Sequence, residues 1–165
     1  MTESTAIELL MYQIGQLFLL PVLLLVAAMF AYSLYALGTF GVQALQRRKR
    51  GSALAGFPLL AYVRTRPEAS LDELDLKAHK MLETARLASR IAPMLGLVGT
   101  MIPMGPALKS LADGNLAQVS GSLTVAFSVV IIALIAASLT YWISNVRRRW
   151  LAEEMLEIQT ARGVQ

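Results

Sequence analysis

The polar group best placed for chemistry inside the apolar part of this sequence is the hydroxyl of Thr100. Thr100 lies on a stripe of small residues at helical spacing: Ala92, Gly96, Gly99, Thr100, Pro103 and Ala107. Its hydroxyl can donate and accept a hydrogen bond, so it can hold a water against a carboxylate. The simpler use of such a threonine is a bond to its own helix backbone. A second stripe reads Ser122, Ala126, Ala133, Ala137, Thr140 and Ser144. Small stripes let membrane helices approach closely, whether or not the same seam also faces a pore or a partner helix. Val130, between Ala126 and Ala133, adds no polar group, and Thr124 and Ser128 point to other faces.

No Asp, Glu, Lys, Arg or His lies in the long apolar stretches that carry these stripes. Ionisable residues inside a membrane are the usual mark of an ion or proton route. Either this chain conducts nothing, or a partner supplies the charged group. Catalysis is not expected: nucleophile–base pairs, phosphate loops and metal-ligand spacings are all missing, and no cofactor or metal is expected. There is no cysteine, and His79, the single histidine, sits in a charged, solvated stretch.

The elements that must position these groups follow from the gaps between charges. Of the 165 residues, 56% are hydrophobic and 16% charged, against about 25% charged in ordinary soluble domains. Glu8 and Arg47 bracket 38 uncharged residues, Arg90 and Lys109 bracket 18, and Asp113 and Arg147 bracket 33. A bilayer core needs roughly 20 apolar residues as helix. The expected fold is an all-α membrane protein, one membrane domain over 1–165 with spans near 14–40, 91–111 and 122–146. A secretory signal is disfavoured for the first run, because Glu3 and Glu8 stand where a signal has basic residues.

Charge sets the orientation. Of fifteen basic residues, ten lie in the loop 46–90 and four in the tail 147–165, leaving only Lys109 elsewhere. This asymmetry puts loop and tail in the cytoplasm and the N-terminus outside, and removes nucleic acid as a partner. The clusters Arg47, Arg48, Lys49, Arg50 and Arg147, Arg148, Arg149 are expected at anionic lipid headgroups. Tyr32, Tyr35, Tyr141, Trp142 and Trp150 collect near the same interface.

Thr5 and Glu8 have the spacing of a capping box ahead of a first helix reaching about Gln46. Gly51, Gly56, Pro58 and Pro67 mark turns, with one short turn expected over 58–64. Ser70 and Glu73 repeat the capping-box spacing. From there a seam runs through Leu71, Leu74, Ala78, Met81, Ala85, Ala88, Ala92, Leu95 and Gly99, so the second membrane helix should start well inside the cytoplasm. Pro93 is expected to kink it, and Pro103 and Pro106 to bend or end it. An outer loop is expected over 112–121. The Gly- and Pro-free run after Gly121 predicts a helix of about 40 residues, roughly 60 Å long. Its tail should show Leu151, Met155 and Ile158 on one face and Glu153, Glu154 and Glu157 elsewhere. The second and third spans thus extend into the cytoplasm as helices.

The string Ile91–Thr100, IAPMLGLVGT, resembles the signature of the MotA/TolQ/ExbB proton-channel family, and HKMLETARLASR before it resembles that family's approach to the membrane. The third span and its cytoplasmic end, VVIIALIAASLTYWISNVRRRW, are similar to the family's third span, so that the likeness covers roughly 71–150. The resemblance implies an oligomeric ring, a homopentamer, around the membrane helices of a single-span partner. That partner resembles ExbD, TolR or MotB and carries one membrane Asp. Proton or sodium flow past it would drive a motor in a prokaryotic cytoplasmic (inner) membrane. It further implies that the second and third spans line the path, with Thr100, Gly96, Gly99, Pro103, Ala126, Val130, Ala133 and Ala137 facing it or the partner. The Gly96/Gly99 and Ala133/Ala137 faces are expected to close the ring. Two departures are visible. Val130 stands where the family places a second threonine, and Leu139 replaces its third-span proline. A non-conducting scaffold on the same fold is the alternative function.

Overall fold

The computed structural model describes residues 2–48 and 56–163, and these form four helices: α1 (Thr2–Arg48), α2 (Pro58–Thr65), α3 (Leu71–Ala112) and α4 (Leu116–Ala161). Three of them, α1, α3 and α4, are long and apolar enough to cross a membrane. Two compact units emerge, one from 1–32 with 90–137, the other from 33–89 with 138–165. The long helices each give a segment to both.

Local sequence explains the helix ends. Ser70 Oγ accepts the Glu73 N–H at 3.2 Å, capping α3. Glu73 does not reach back to complete the box, because its carboxylate accepts the Tyr62 hydroxyl at 2.5 Å, a bond that raises the pKa of the phenol by holding its proton. Asp113, Gly114 and Asn115 alone join α3 to α4. Gly114 adopts φ +73°. Its N–H reaches Leu111 O, and the Asn115 N–H reaches Ser110 O at 2.9 Å. That is the Schellman way of satisfying the last carbonyls of a helix. Asn115 Oδ1 then accepts the Gln118 N–H and starts α4.

Several expectations change here. The loop over 112–121 shrinks to three residues, because Asn115 nucleates α4 ahead of Gly121. The first helix starts ahead of the expected cap, since α1 is already helical from Thr2; the side chains of Thr5 and Glu8 lie outside the described residues. Helix α3 remains helical through Pro93, Pro103 and Pro106 and ends six residues beyond the last of them. The turn expected over 58–64 is a two-turn helix with Pro58 at its first position, where a missing N–H costs nothing.

In the first unit, α3 buries Ala92, Gly96, Gly99, Pro103, Ala107 and Ser110, and α4 buries Ala126, Val129, Ala133, Ala136 and Ala137. Among the described residues of α1 in this unit only Val22 and Val26 are buried. Its Leu17, Leu20, Leu24 and Leu25 stay exposed, as a lipid-facing helix requires. In the second unit Leu59 of α2 packs with Leu74, Ala78 and Leu82 of α3 and Leu151 and Ile158 of α4. The buried face of α3 differs from the expected seam at Met81, which is exposed while Leu82 is buried. The intervals average near 3.6, the period of a straight helix, so a seam of strict three-four steps drifts off the buried face.

Candidate functional site: the helix seams and the arginine clusters

Close approach sets the geometry of the first unit. A Cβ on Gly96 would stand 2.8 Å from the Ala133 methyl and 3.5 Å from Val130 Cα. A Cβ on Gly99 would stand 2.5 Å from Val129 Cγ1 and 3.6 Å from Val22 Cγ1. Only glycine lets α3 come so near α4 and α1. Val22, Val26, Val129 and Ala133 form one core, with Leu23, Leu95 and Ile102 against it. Ala92, Ala136 and Ala137 form another, under Met29 and Phe30.

The two small stripes therefore meet each other inside a single chain. Gly96, Gly99, Pro103, Ala126, Ala133 and Ala137 are all buried within the single chain. Val130 is half-buried against Gly96. Thr100 lies at the margin of the seam, half-exposed, and its hydroxyl donates to the Leu97 carbonyl at 2.7 Å. Thr124 and Ser128 are exposed and likewise donate to carbonyls of their own helix, Ser120 O and Thr124 O. A threonine bonded in this way keeps its oxygen lone pairs, so Thr100 can still accept a bond from water or a carboxylic acid.

The arginine clusters divide. Arg47 is not a headgroup residue: its side chain is 11% exposed and forms an ion pair with Glu154, itself 1% exposed. Arg47 Nε also donates to Gly56 O at 2.7 Å, and its guanidinium lies over the rings of Phe57 and Trp150 at 4.5 and 4.6 Å. Glu154 Oε2 accepts the Leu59 N–H at 2.8 Å, closing the start of α2. This clasp was missed because Glu154 was placed off the apolar face. Its spacing contradicts that: Glu154 is three residues after Leu151 and four before Ile158, so all three share one side. Arg147 is partly buried and donates to Thr39 Oγ1 at 3.0 Å. Arg48, Arg148 and Arg149 are exposed, as headgroup contacts would be. Lys49 and Arg50 lie outside the described residues. At the far end of α4, Arg162 donates to Ala69 O at 2.6 Å and Pro67 O at 2.9 Å.

Nothing among the curated proteins or the solved structures matches the chain. The sequence pattern of one family does: that of the MotA/TolQ/ExbB proton channel family matches residues 57–160, well over half of the chain, and takes in α2, α3 and nearly all of α4. With three helices able to cross a membrane, this is a multi-pass membrane protein, and it belongs to the MotA/TolQ/ExbB proton channel family.

Proposed function

We propose that the chain is the channel-type, stator subunit of a proton- or sodium-driven motor complex. It assembles as a homo-oligomeric ring, a pentamer, around a single-span partner that carries a membrane Asp. One observation carries this reading: a member of a proton channel family has spans with no ionisable residue, between Glu8 and Arg47, Arg90 and Lys109, and Asp113 and Arg147. A proton route needs a titratable group, so the group must come from another chain. Thr100, half-exposed at the margin of the seam, is the residue to meet it. The orientation follows the basic residues: N-terminus outside, the loop 46–90 with α2 and the tail 147–165 in the cytoplasm, in a prokaryotic inner membrane. The role is not enzymatic.

The test starts from the neighbouring genes: a single-span protein with a membrane Asp is expected there, and it is co-expressed with this chain. The two should co-purify, and proteoliposomes holding both should pass protons or sodium, while vesicles holding this chain alone should not. Flux from this chain alone would refute a borrowed carboxylate.

A second reading, a non-conducting scaffold, has its own support. Val130 lacks a hydroxyl and turns toward Gly96, and the small stripes are used within one chain. Co-purification without flux would select it.

A further inference from the structure

In the second unit a groove of about 510 Å³ lies open between the early turns of α3 and the late turns of α4. Its floor is apolar: Ala78, Leu82, Leu151 and Met155. Its rim is charged, and the charge is divided by level. The two helices run in opposite directions here, with Arg162 of α4 bonded to Ala69 O just ahead of α3. Arg86 and Arg148 therefore share one end of the groove, and Asp75 and Gln159 share the other. Asp75 has His79 at 3.4 Å, an ion pair only when the imidazole is protonated. The outer face of α3 carries the opposite pattern. Leu74, Ala78, Leu82 and Ala85 are its buried row. Leu76, Lys80, Glu83 and Leu87 recur at helical spacing on the other side and are exposed. Leu76 is 56% exposed and Leu87 50%. Among the described residues, no ion pair engages Lys80, Glu83, Arg86 or Arg148.

We propose that this groove receives the outer face of α3 from a second copy of the chain. Copies inserted the same way in one membrane are related by rotation about its normal, so features at one depth meet features at that depth. Glu83 of the second copy then falls beside Arg86 and Arg148, and its Lys80 beside Asp75. Along the helix these offsets are three and five residues, about 4.5 and 7.5 Å, which long side chains bridge. Leu76 of the second copy lies against Leu156 and Met155. The outer face of α4 does not fit the same groove. At equal depth it brings Arg149 to Arg86 and Arg148, and Glu157 to Asp75, and like charges so placed reject a partner. A face of one kind in a groove of another is a heterologous contact. It repeats from copy to copy and closes into a ring when the rotation between copies divides a full turn. The inference rests on the proposed reading of an oligomer with the loop 46–90 and the tail 147–165 in the cytoplasm. There, Leu76, Leu87 and Leu156 would otherwise face water.

The chain has no cysteine, so introduced thiols report without background. Leu76→Cys and Leu156→Cys are made in separate full-length copies with different tags, co-expressed, and joined in the membrane by a short bis-maleimide. Products holding both tags should outnumber products of either variant with itself. Glu83→Lys brings a cation to Arg86 and Arg148. It should raise about tenfold the concentration at which half the chains are assembled in mild detergent. Arg149→Glu, outside the groove, should change that concentration less than about twofold. Glu83 and Arg149 are both exposed, so thermal unfolding should be unchanged in either variant and misfolding is not the explanation. An excess of Leu76→Cys joined to itself would mean a face-to-face contact and would overturn the proposal. So would assembly indifferent to Glu83→Lys, or a Leu156→Cys thiol that stays open to a bulky maleimide in the assembled protein. A cross-link from Leu156→Cys to some other protein would give the groove a different occupant and overturn it too. A native mass of one chain would sink the oligomer reading itself, whereas a multimer without mixed-tag product would sink this surface alone.

Discussion

In the first unit, Gly96 and Gly99 bring α3 within van der Waals reach of Ala133, Val129 and Val22, with no ionised group nearby. In the second, the same three helices are held by Arg47 on Glu154 and Gly56, by Arg162 on Pro67 and Ala69, and by a core of leucines. On the proposed reading, with the loop and tail in the cytoplasm, the difference reflects solvent. Leucine gains little by leaving lipid for another leucine, so helices there associate through backbone proximity, and small residues provide it. In water, apolar burial drives association and leucines supply it at about 25 cal/mol per Å². Charged side chains can then be placed where they satisfy turns and helix ends. A chain that passes through both environments has two independent ways to fail.

The largest expected effect falls on the second unit. Glu154→Ala leaves the Arg47 guanidinium, 11% exposed, with only the exposed Glu153 carboxylate at 3.9 Å, and the Leu59 N–H without its acceptor. Removing one member of a buried pair costs about 3–5 kcal/mol. Thermal unfolding of the purified protein should show the loss, and limited proteolysis should cut first around 56–66. The pair itself is replaceable. Arg47→Met combined with Glu154→Gln removes both charges, and the amide oxygen remains for Leu59. The double variant should recover most of the stability lost in Glu154→Ala. A double variant as weak as the single would mean that Gly56 and the Phe57 and Trp150 rings, rather than Glu154, are what Arg47 serves.

The next effect is expected in the first unit. Gly99→Ala puts a methyl 2.5 Å from Val129 Cγ1, and overpacking of this kind costs about 1–3 kcal/mol. Val129→Ala alone should also destabilise, yet combined with Gly99→Ala it should relieve the clash, so the two changes are not additive. Gly121 gives the control. It lies inside α4 with nothing within 4 Å of a new Cβ, and alanine there should be neutral or stabilising by up to about 1 kcal/mol. If both glycines respond alike, close approach is not what Gly99 provides. Smaller again is the turn between α3 and α4. Gly114→Ala forces an L side chain into φ +73°, at about 1–2 kcal/mol, and Asn115→Ala removes the α4 cap at about 1 kcal/mol.

The two units were not equally legible in the sequence. Uncharged length and small-residue spacing are local signals, and they placed the three long helices and the stripes that meet at Gly96 and Gly99. Ser70 announced its cap for the same reason. The clasp was not legible as a pair, because Arg47 and Glu154 are 107 residues apart and nothing near either names the other. Half of it could have been found: the position of Glu154 between Leu151 and Ile158 already put a carboxylate on an apolar face. The short turn was readable too, since Asp113, Gly114 and Asn115 carry both a left-handed stop and a helix cap. Gly121, a few residues on, competes with it as a breaker in the sequence. Within α4, Gly121 is simply an exposed helical glycine. The uses of Arg147 and Arg149 could not be told apart either, because burial, not residue type, separates them.

Thr100 should show the smallest effect on stability and the sharpest test of what the seam does beyond packing. Its hydroxyl bonds the Leu97 carbonyl, a local bond that α3 does not need, and its side chain is half-exposed. Valine has nearly the same shape, so Thr100→Val should shift stability by less than about 0.5 kcal/mol. Assembly, monitored by size-exclusion chromatography, should be unchanged. If Thr100 meets the partner's carboxylate, ion flux in the reconstituted complex should nevertheless be lost, because a methyl cannot hold the water that the hydroxyl holds. Thr100→Ser should keep most of the flux, since it retains the hydroxyl and gives up only a methyl. Val130→Thr is the converse. Val130 faces Gly96, so its new hydroxyl would bond a carbonyl of α4 rather than reach an ion, and flux should stay as it was. An increase in flux would show that α4 turns Val130 toward the path in the assembled complex. Unchanged flux in Thr100→Val would leave Thr100 as a packing residue like its neighbours on the seam, and would favour the scaffold reading.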